Sequence, residues 1–516
     1  MRAQNQLNSI ASFTAPIKGW NVVDALPAMD PLYASVLDNV FCLPSELQIR
    51  KGYTGWSAIF GSCSSLFTYN KPDGSQKLFS VCQDSTTTYF FDSTNIGSFD
   101  VVLSVFNYSA LVKTVNITTA GGSFCWIVNG SQDGYIYDGA TFNQVTTISA
   151  PYAVTGVDSS TFSDVILFKR RVWFVQKNTL SVWYLATDAI AGAATEFDFS
   201  TIFTRGGYIV KIDSWSLDAG VGLDDHFIVA TSQGEVAVYK GTDPASATTW
   251  QLVGVFYVGP PVPLGKTIKY GGDLLMLNLD GLVEMSSALM SSRVTTKSKI
   301  TEKIQSALAD AITNNFNDNR WDVSLFPNIN ALLINVPVTQ QSTHQYVMNT
   351  DTGAWSRWTG IKANCWIFAN NSLFFGRENG IYKAWDSYAD FGSNITADII
   401  PAYQKFGNSS RLKRFTLARA VLASETRINY GIRIETDFKL PNYPISIPFN
   451  PSDNQAYYDE SRYDESVYSG ELSISAEWQG VQALGFWASP HTQITRRVGD
   501  IRLYSYDLVI ESGGNI

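Results

Sequence analysis

The stretch Trp321–Trp358, WDVSLFPNINALLINVPVTQQSTHQYVMNTDTGAWSRW, decides how the rest of the chain is read. Leu332, Leu333, Ile334, Val336 and Val338 form an apolar run that ends at Gln340-Gln341, and Tyr346-Val347-Met348 resumes it after a short polar loop. That is strand, turn, strand. Asn349-Thr350-Asp351-Thr352-Gly353 supplies the side-chain and glycine chemistry of a tight turn, and Trp355 and Trp358 begin the next strand. Under period-two alternation these two tryptophans fall on opposite faces of their sheet.

The same theme recurs on both sides of this stretch. Turn signals flanked by β-formers stand at Asp73-Gly74, Asp133-Gly134, Lys177-Asn178, Gln233-Gly234, Asp280-Gly281, Asp351 to Gly353 and Asn379-Gly380, mostly about 50 residues apart. Apolar segments such as Ser123–Val128, Val172–Gln176, His226–Ala230 and Leu373–Phe375 precede them, and alternating ones such as Glu235–Tyr239 and Ile381–Trp385 follow. A period of about 50 with about four short strands per unit is the signature of propeller blades, whose small sheets bury their faces against one another and leave only short edges. The expectation is an all-β chain: a β-propeller of about six blades over residues 56–395, with an inserted helix and an additional C-terminal β domain. The insertion falls near 297–316, where Ile300, Ile304, Leu308 and Ile312 make one apolar helical stripe suited to docking on the propeller rim.

Residues 1–55 read as an N-terminal arm wrapped on the body, punctuated by Pro16, Pro27, Pro31 and Pro44, with a short helical turn over Asp30–Val40 and a strand at Leu47–Arg50. Residues 396–516 form the C-terminal β domain, with strands at Arg419–Ala423, Asn429–Glu435 and within Glu471–Glu511. Its loop 440–470 carries Tyr457, Tyr458, Tyr463 and Tyr468 among acidic residues; tyrosines give contact area at low entropic cost, so they are the candidate interface residues.

Composition narrows the function classes. Of the 516 residues 45% are hydrophobic and 13% aromatic, enough for a globular chain, while only 16% are charged, against about 25% in an average protein. A net charge of −9 argues against a protein that grips nucleic acid, which needs many cations to displace counterions. No apolar stretch reaches the roughly 18 residues of a membrane span, and the first 20 residues lack the apolar core of a secretory signal. The five cysteines, Cys42, Cys63, Cys82, Cys125 and Cys365, are widely spaced and read as reduced core thiols. Sequons at Asn107, Asn116, Asn370 and Asn394 read as chance in an Asn- and Ser/Thr-rich chain.

Candidates for chemistry are few. His226, His344 and His491 lie far apart; Asp224-Asp225-His226 reads as a solvated cap to a strand rather than a metal site. No nucleophile elbow, HExxH or P-loop pattern occurs. Asn315-Phe316-Asn317-Asp318-Asn319 alternates oxygen ligands like a calcium loop but lacks the glycine and the distal acid, so it reads as a helix C-terminal turn. Thr350-Asp351-Thr352-Gly353-Ala354-Trp355 resembles a shortened sialidase Asp-box, in a single copy. The reading is therefore not an enzyme, with no catalytic, cofactor or metal residues; a glycan-binding or sialidase-like propeller at a host surface is the alternative, and a generic interaction propeller a third.

Three segments also carry a family resemblance. They are Gly19–Met29 with Val36–Asn39 and Ile49–Tyr53, then Tyr346–Trp358, then the Tyr/Asp loop 457–468. Together they resemble the tail nozzle or tail hub proteins of short-tailed bacteriophages, also called packaged-DNA stabilisation proteins. The resemblance implies a virion structural protein made in the host cytoplasm. It implies a hexameric ring below the portal and its adaptor protein, genomic DNA passing through the lumen without specific binding, and surfaces for tail fibre or tail-tip proteins. Six copies at −9 would carry 6 × −9 = −54, an acidic lining along which DNA slides.

Overall fold

The computed structural model describes residues 9–218, 223–290, 300–407, 410–425, 428–439, 445 and 472–515. Tyr457, Tyr458, Tyr463 and Tyr468 lie outside the described residues. The body is a β-propeller. Six free-standing antiparallel sheets act as blades: four-stranded at 62–106, 113–144, 162–198 and 209–257, three-stranded at 267–284, and four-stranded at 365–387, where Gly52–Ser57 adds the outermost strand. The remaining sector, between 267–284 and 365–387, is filled by the limb 322–358 of a nine-stranded sheet. First strands of successive sectors pack side by side around the axis, and Ser62–Asn70 meets Cys365–Ala369 to close the ring.

Propeller cores sit between blades, and the sequence alternation explains why. Phe67 and Phe79 of the 62–106 blade meet Cys125 and Tyr135 of the next; Trp126 and Ile136 face Phe162 and Phe174; Trp173 and Val175 face Phe227 and Tyr239; Trp215 and Val238 face Leu274 and Met276. Neighbouring residues of one strand thus serve two different cores, as with Cys125 and Trp126. Five of the seven turn signals fall at the same place in their units, between the second and third strands, which is the origin of the period. Asp73-Gly74 instead joins a first and second strand, and Asp351–Gly353 a third and fourth.

All five cysteines are free and buried; Cys63 and Cys365 stand 4.0 Å apart, sulfur to sulfur, at the seam between the last blade and the first. Trp355 and Trp358 do lie on opposite faces, each 2% exposed. Trp355 packs with Trp20 and Tyr346, Trp358 with Phe41 and Trp385, because their sheet is covered on both sides.

The arm is more deeply built in than a wrapped segment. Asp30–Val40 makes no helical turn; Tyr33–Asp38 and Val40–Cys42 are strands, because Ala34 and Leu37 are buried and their backbone pairs with Ile395–Pro401. Gly19–Trp20 pairs in parallel with both Tyr33–Asp38 and Trp355. Gly19, at φ +94°, is required there: a Cβ would stand 2.6 Å from the backbone N and O of Trp355. The nine-stranded sheet continues through Tyr33–Asp38, Ile395–Pro401, Ala488–Arg496 and Asn429–Thr436. A seven-stranded sheet packs against it, built on Arg411–Ser424 and Ile501–Asn515 with the arm strands Ser9–Thr14, Val40–Cys42 and Leu47–Ile49. The second β domain therefore contains both Ser9–Thr14 and Ile501–Asn515, and the boundary expected at residue 55 falls inside a blade strand.

The inserted helix runs from Gln305 to Asn315 after a short 3-10 turn, Glu302–Ile304, later than the expected start. Ile304, Leu308 and Ile312 are fully buried against Leu275, Leu282 and Leu332. The arm fastens its start: Val22 N donates to Lys303 O (3.0 Å) and Lys303 pairs with Asp24 (3.0 Å). Ile300 is not on the helix; its carbonyl accepts from the indole N–H of Trp355 (2.8 Å).

Candidate functional site

The propeller axis is where the fold gathers chemistry. First strands of successive sectors lie against one another, which brings residues near their starts together. At or near the starts of these strands, going round the ring, stand Lys113, Asp164, Lys211, Lys266, Asp322, Asn364 and Ser65. Lys211 pairs with Asp164 (3.0 Å) and Lys266 with Asp322 (3.2 Å). Both carboxylates are also held by backbone donors, Asp164 by Ile212 N (3.1 Å) and Asp322 by Val323 N (3.0 Å) and Trp366 N (3.0 Å). Lys113 reaches across the axis to donate to the Leu264 carbonyl (3.0 Å).

Lys113, Lys266, Asn364 and Ser65 open on a cavity of about 250 Å³, otherwise lined by Ser64, Ser109, Asn129, Ser131, Lys177 and Asn319 among others. A second cavity of about 290 Å³ adjoins it, sharing Ser64, Ser109, Asn319 and Asn364 and adding Gln83, Arg320 and Gln340. Burial, with the charges of Lys266 and Lys211, lowers the Lys113 pKa to about 7. For Lys211 burial acts in the same direction, but Asp164 and Asp213 outweigh it and raise the value above that of a free lysine. A lysine poised near neutrality in a cleft is a feature of functional sites. The acids beside it are already engaged by other cations and backbone donors.

A second polar cluster lies in the other β domain. His491, on the strand Ala488–Arg496, bonds Asp398 Oδ1 through Nε2 (2.6 Å) and Glu435 Oε1 through Nδ1 (2.7 Å), and Arg433 pairs with Glu435. Burial pulls the His491 pKa down, but the two carboxylates win and leave it raised. Its members come from three strands of the nine-stranded sheet, so residue spacing carries no sign of it beyond Arg433 and Glu435 sharing one strand face.

The remaining histidines do not join either site. His226 is not a solvated cap: it is 7% exposed within the strand Leu223–Thr231, opposite Trp215, whose ring it approaches at 5.5 Å. Its neighbour Asp225 bonds Ser216 (2.7 Å) and Lys169 (2.5 Å). Burial and the charge of Arg357 lower the His344 pKa to about 4. The Asp-box-like turn is a fold device: Gly353 N donates to Asn349 O (2.8 Å) and Asn330 Nδ2 to Asp351 Oδ2 (2.8 Å). The helix end at Asn315 is followed by an Asp318–Arg320 pair (2.6 Å), and among the described residues no group of three or more His, Cys, Asp or Glu could hold a metal ion.

Of the segments behind the family resemblance, the arm and Tyr346–Trp358 meet at the junction of the two domains, and 457–468 lies outside the described residues. Arg50, with a fully buried side chain, pairs with Asp390 through both terminal nitrogens (2.8 and 2.5 Å) and donates through Nε to Asn39 Oδ1 (2.8 Å). Arg357 pairs with Asp38 (2.7 and 2.6 Å), and the indole N–H of Trp358 donates to Val40 O (2.9 Å). Gly52 has no room for a Cβ, which would sit 2.0 Å from the Ala389 carbonyl oxygen.

No family model matches the chain, and no curated protein matches it. Among solved structures it is similar to Chaetomium thermophilum Raptor, at 11% identity and a TM-score of 0.39, over 65% of this chain and 29% of the Raptor chain. It is also similar to BBS1N in complex with ARL6DN, at 11% identity and 0.39, over 66% of this chain and 100% of that one. The Myceliophteria thermophila Cps50 (Swd1) β-propeller domain gives 11% identity and 0.38, over 65% and 98%.

Proposed function

We propose that the chain is a structural ring component of a short-tailed phage virion, a tail nozzle or hub protein that assembles as a hexamer below the portal and its adaptor. In that role it continues the channel through which the genome is retained and ejected, and it docks fibre or tail-tip proteins. The observation that carries the self-associating part is a pair of bare apolar edge strands. Asp100–Phe106, outermost in its blade, exposes Val101, Val102 and Phe106 at 46, 41 and 68%. Trp250–Tyr257, outermost in the blade three places further round, exposes Leu252, Val253 and Val255 at 44, 43 and 37%. Open apolar edges are a hazard in a protein that stays single. Two different patches on one chain suit a head-to-tail contact, which closes into a ring when the rotation allows.

The junction supports a scaffold rather than a catalyst. The residues that resemble the nozzle family lock the propeller to the second domain with buried ion pairs and backbone-close glycines. The test is the mass of the purified protein in solution, alone and with its adaptor. A hexamer is expected, with Val101→Lys plus Val253→Lys reducing it to single chains of unchanged thermal stability. A wild-type protein that remains a monomer at high concentration and binds no virion component would overturn the reading.

A further inference from the structure

Charge at the propeller axis is unbalanced at Lys113, and Lys177 on the same cavity wall adds a cation that, among the described residues, bonds only the Ser131 hydroxyl (3.1 Å). Lys211 and Lys266 each have a carboxylate, Asp164 and Asp322, whereas Lys113 bonds only a neutral carbonyl, and among the described residues no carboxylate stands within ion-pair distance of it. The rest of the cavity wall mixes hydroxyl and amide groups, from Ser64, Ser109, Ser131, Asn129, Asn319 and Asn364, with the apolar Leu111, Val112 and Leu264. A half-buried ammonium that faces only dipoles lacks the partner that normally offsets its desolvation. We infer that this cavity binds a small hydroxyl-bearing oxyanion, a sugar phosphate or a sugar acid, with Lys113 anchoring the charge and the serine and asparagine side chains receiving the hydroxyls.

Size and polarity select this class. At about 250 Å³ the cavity falls just under the roughly 300–1,000 Å³ of sites for drug-sized ligands, so it holds a monosaccharide-scale molecule rather than a polymer segment. The polar part of its wall offers groups that both donate and accept, as sugar hydroxyls require, and the apolar part suits the carbon face of a sugar ring. The site stands whether or not the chain forms a ring, since every group named belongs to one copy.

Binding is coupled to protonation. Lys113, with a pKa of about 7, is faced by Lys211, Lys266 and the paired Asp164 and Asp322, with Lys177 on the cavity wall. An added anion stabilises its charged form and raises that value. Affinity is therefore full below about pH 7 and weakens above it, by about tenfold between pH 6 and pH 8 as the charged fraction of the free site falls.

The test is titration calorimetry and thermal melting of the full chain with four probes. They are sulfate, whose charge is constant over this range, glucose 6-phosphate, glucuronate and neutral glucose. The expected result is saturable binding of sulfate and tighter binding of at least one sugar anion, with glucose silent. Sulfate affinity should drop about tenfold from pH 6 to pH 8. Lys113→Met should weaken the anions at least tenfold and abolish that pH dependence. Lys113→Arg should keep binding and lose only the pH dependence, which serves as the readout if the methionine variant fails to fold. Preference for glucose 6-phosphate assigns a phosphate ester and preference for glucuronate a sugar acid. Absence of saturable binding, glucose binding as well as the anions, or binding indifferent to both substitutions would overturn the assignment.

Discussion

Arg50 shows how much one residue can decide in this protein. Its five N–H donors all find acceptors: Asn39 Oδ1, the carbonyls of Lys51 (3.1 Å) and Thr359 (2.8 Å), and both oxygens of Asp390. Three of those partners are 309 to 340 residues away in the chain or lie beyond a left-handed turn, as Asn39 does at φ 57°. A satisfied buried pair contributes modestly to stability, but removing one partner leaves an uncompensated charge in the interior. Asp390→Asn should therefore lower stability by about 3–5 kcal/mol, read from the midpoint of urea unfolding, without changing the secondary structure seen by circular dichroism. In sequence, Arg50 is only the polar end of a short strand. Nothing near it reveals its partner, because an ion pair made across hundreds of residues leaves no spacing to read.

At the scale of the element, the strand Ala488–Arg496 is the clearest case of chemistry made by pairing. It lies between Ile395–Pro401 and Asn429–Thr436, and His491 ties all three through Asp398 and Glu435. The His491 pKa is raised, so its contribution is fully present below the ordinary histidine value and is lost as pH rises through the raised one. Asp398 has the opposite sign: burial would raise its pKa, but the bonds from His491 and Gln493 hold it below the usual carboxylate value, so its share is lost as pH falls. The stability difference between the wild type and His491→Gln should thus peak in mildly acidic solution and shrink on both sides. Thermal melts of the two proteins across pH 4–9 check it, and a difference that is flat with pH would refute it.

For the whole molecule, the nine-stranded sheet is decisive, because it is at once a sector of the propeller and half of the second domain. Ser9–Thr14 and Ile501–Asn515 pair within the same sandwich, and Gly52–Ser57 adds the outermost strand of the last blade. Two domains that share a sheet and a core cannot separate without breaking both. Differential scanning calorimetry should show one cooperative transition rather than two, with calorimetric and van't Hoff enthalpies in agreement per folding unit. Deleting residues 1–57 should abolish that transition, since it removes strands from the propeller and from both large sheets. Two resolved transitions in the full chain would show that the junction is weaker than its contacts suggest.

By itself the sequence determined what depends on local order: the strand alternation, the turn residues spaced about 50 apart, the apolar stripe Ile304, Leu308 and Ile312, and the opposed faces of Trp355 and Trp358. These follow from the pleat and the helical repeat, which a short window records. Only the tertiary structure decided that the arm is made of sheet strands, that Asp30–Val40 is extended, and that His226 lies inside a blade. It alone also assembled the axial lysines, drawn from sectors up to about 150 residues apart, and the His491 cluster. The reason is common to all of them: side chains from different strands become neighbours only through strand pairing and ring closure, and both are set by burial summed over the whole chain rather than by any segment's own preference.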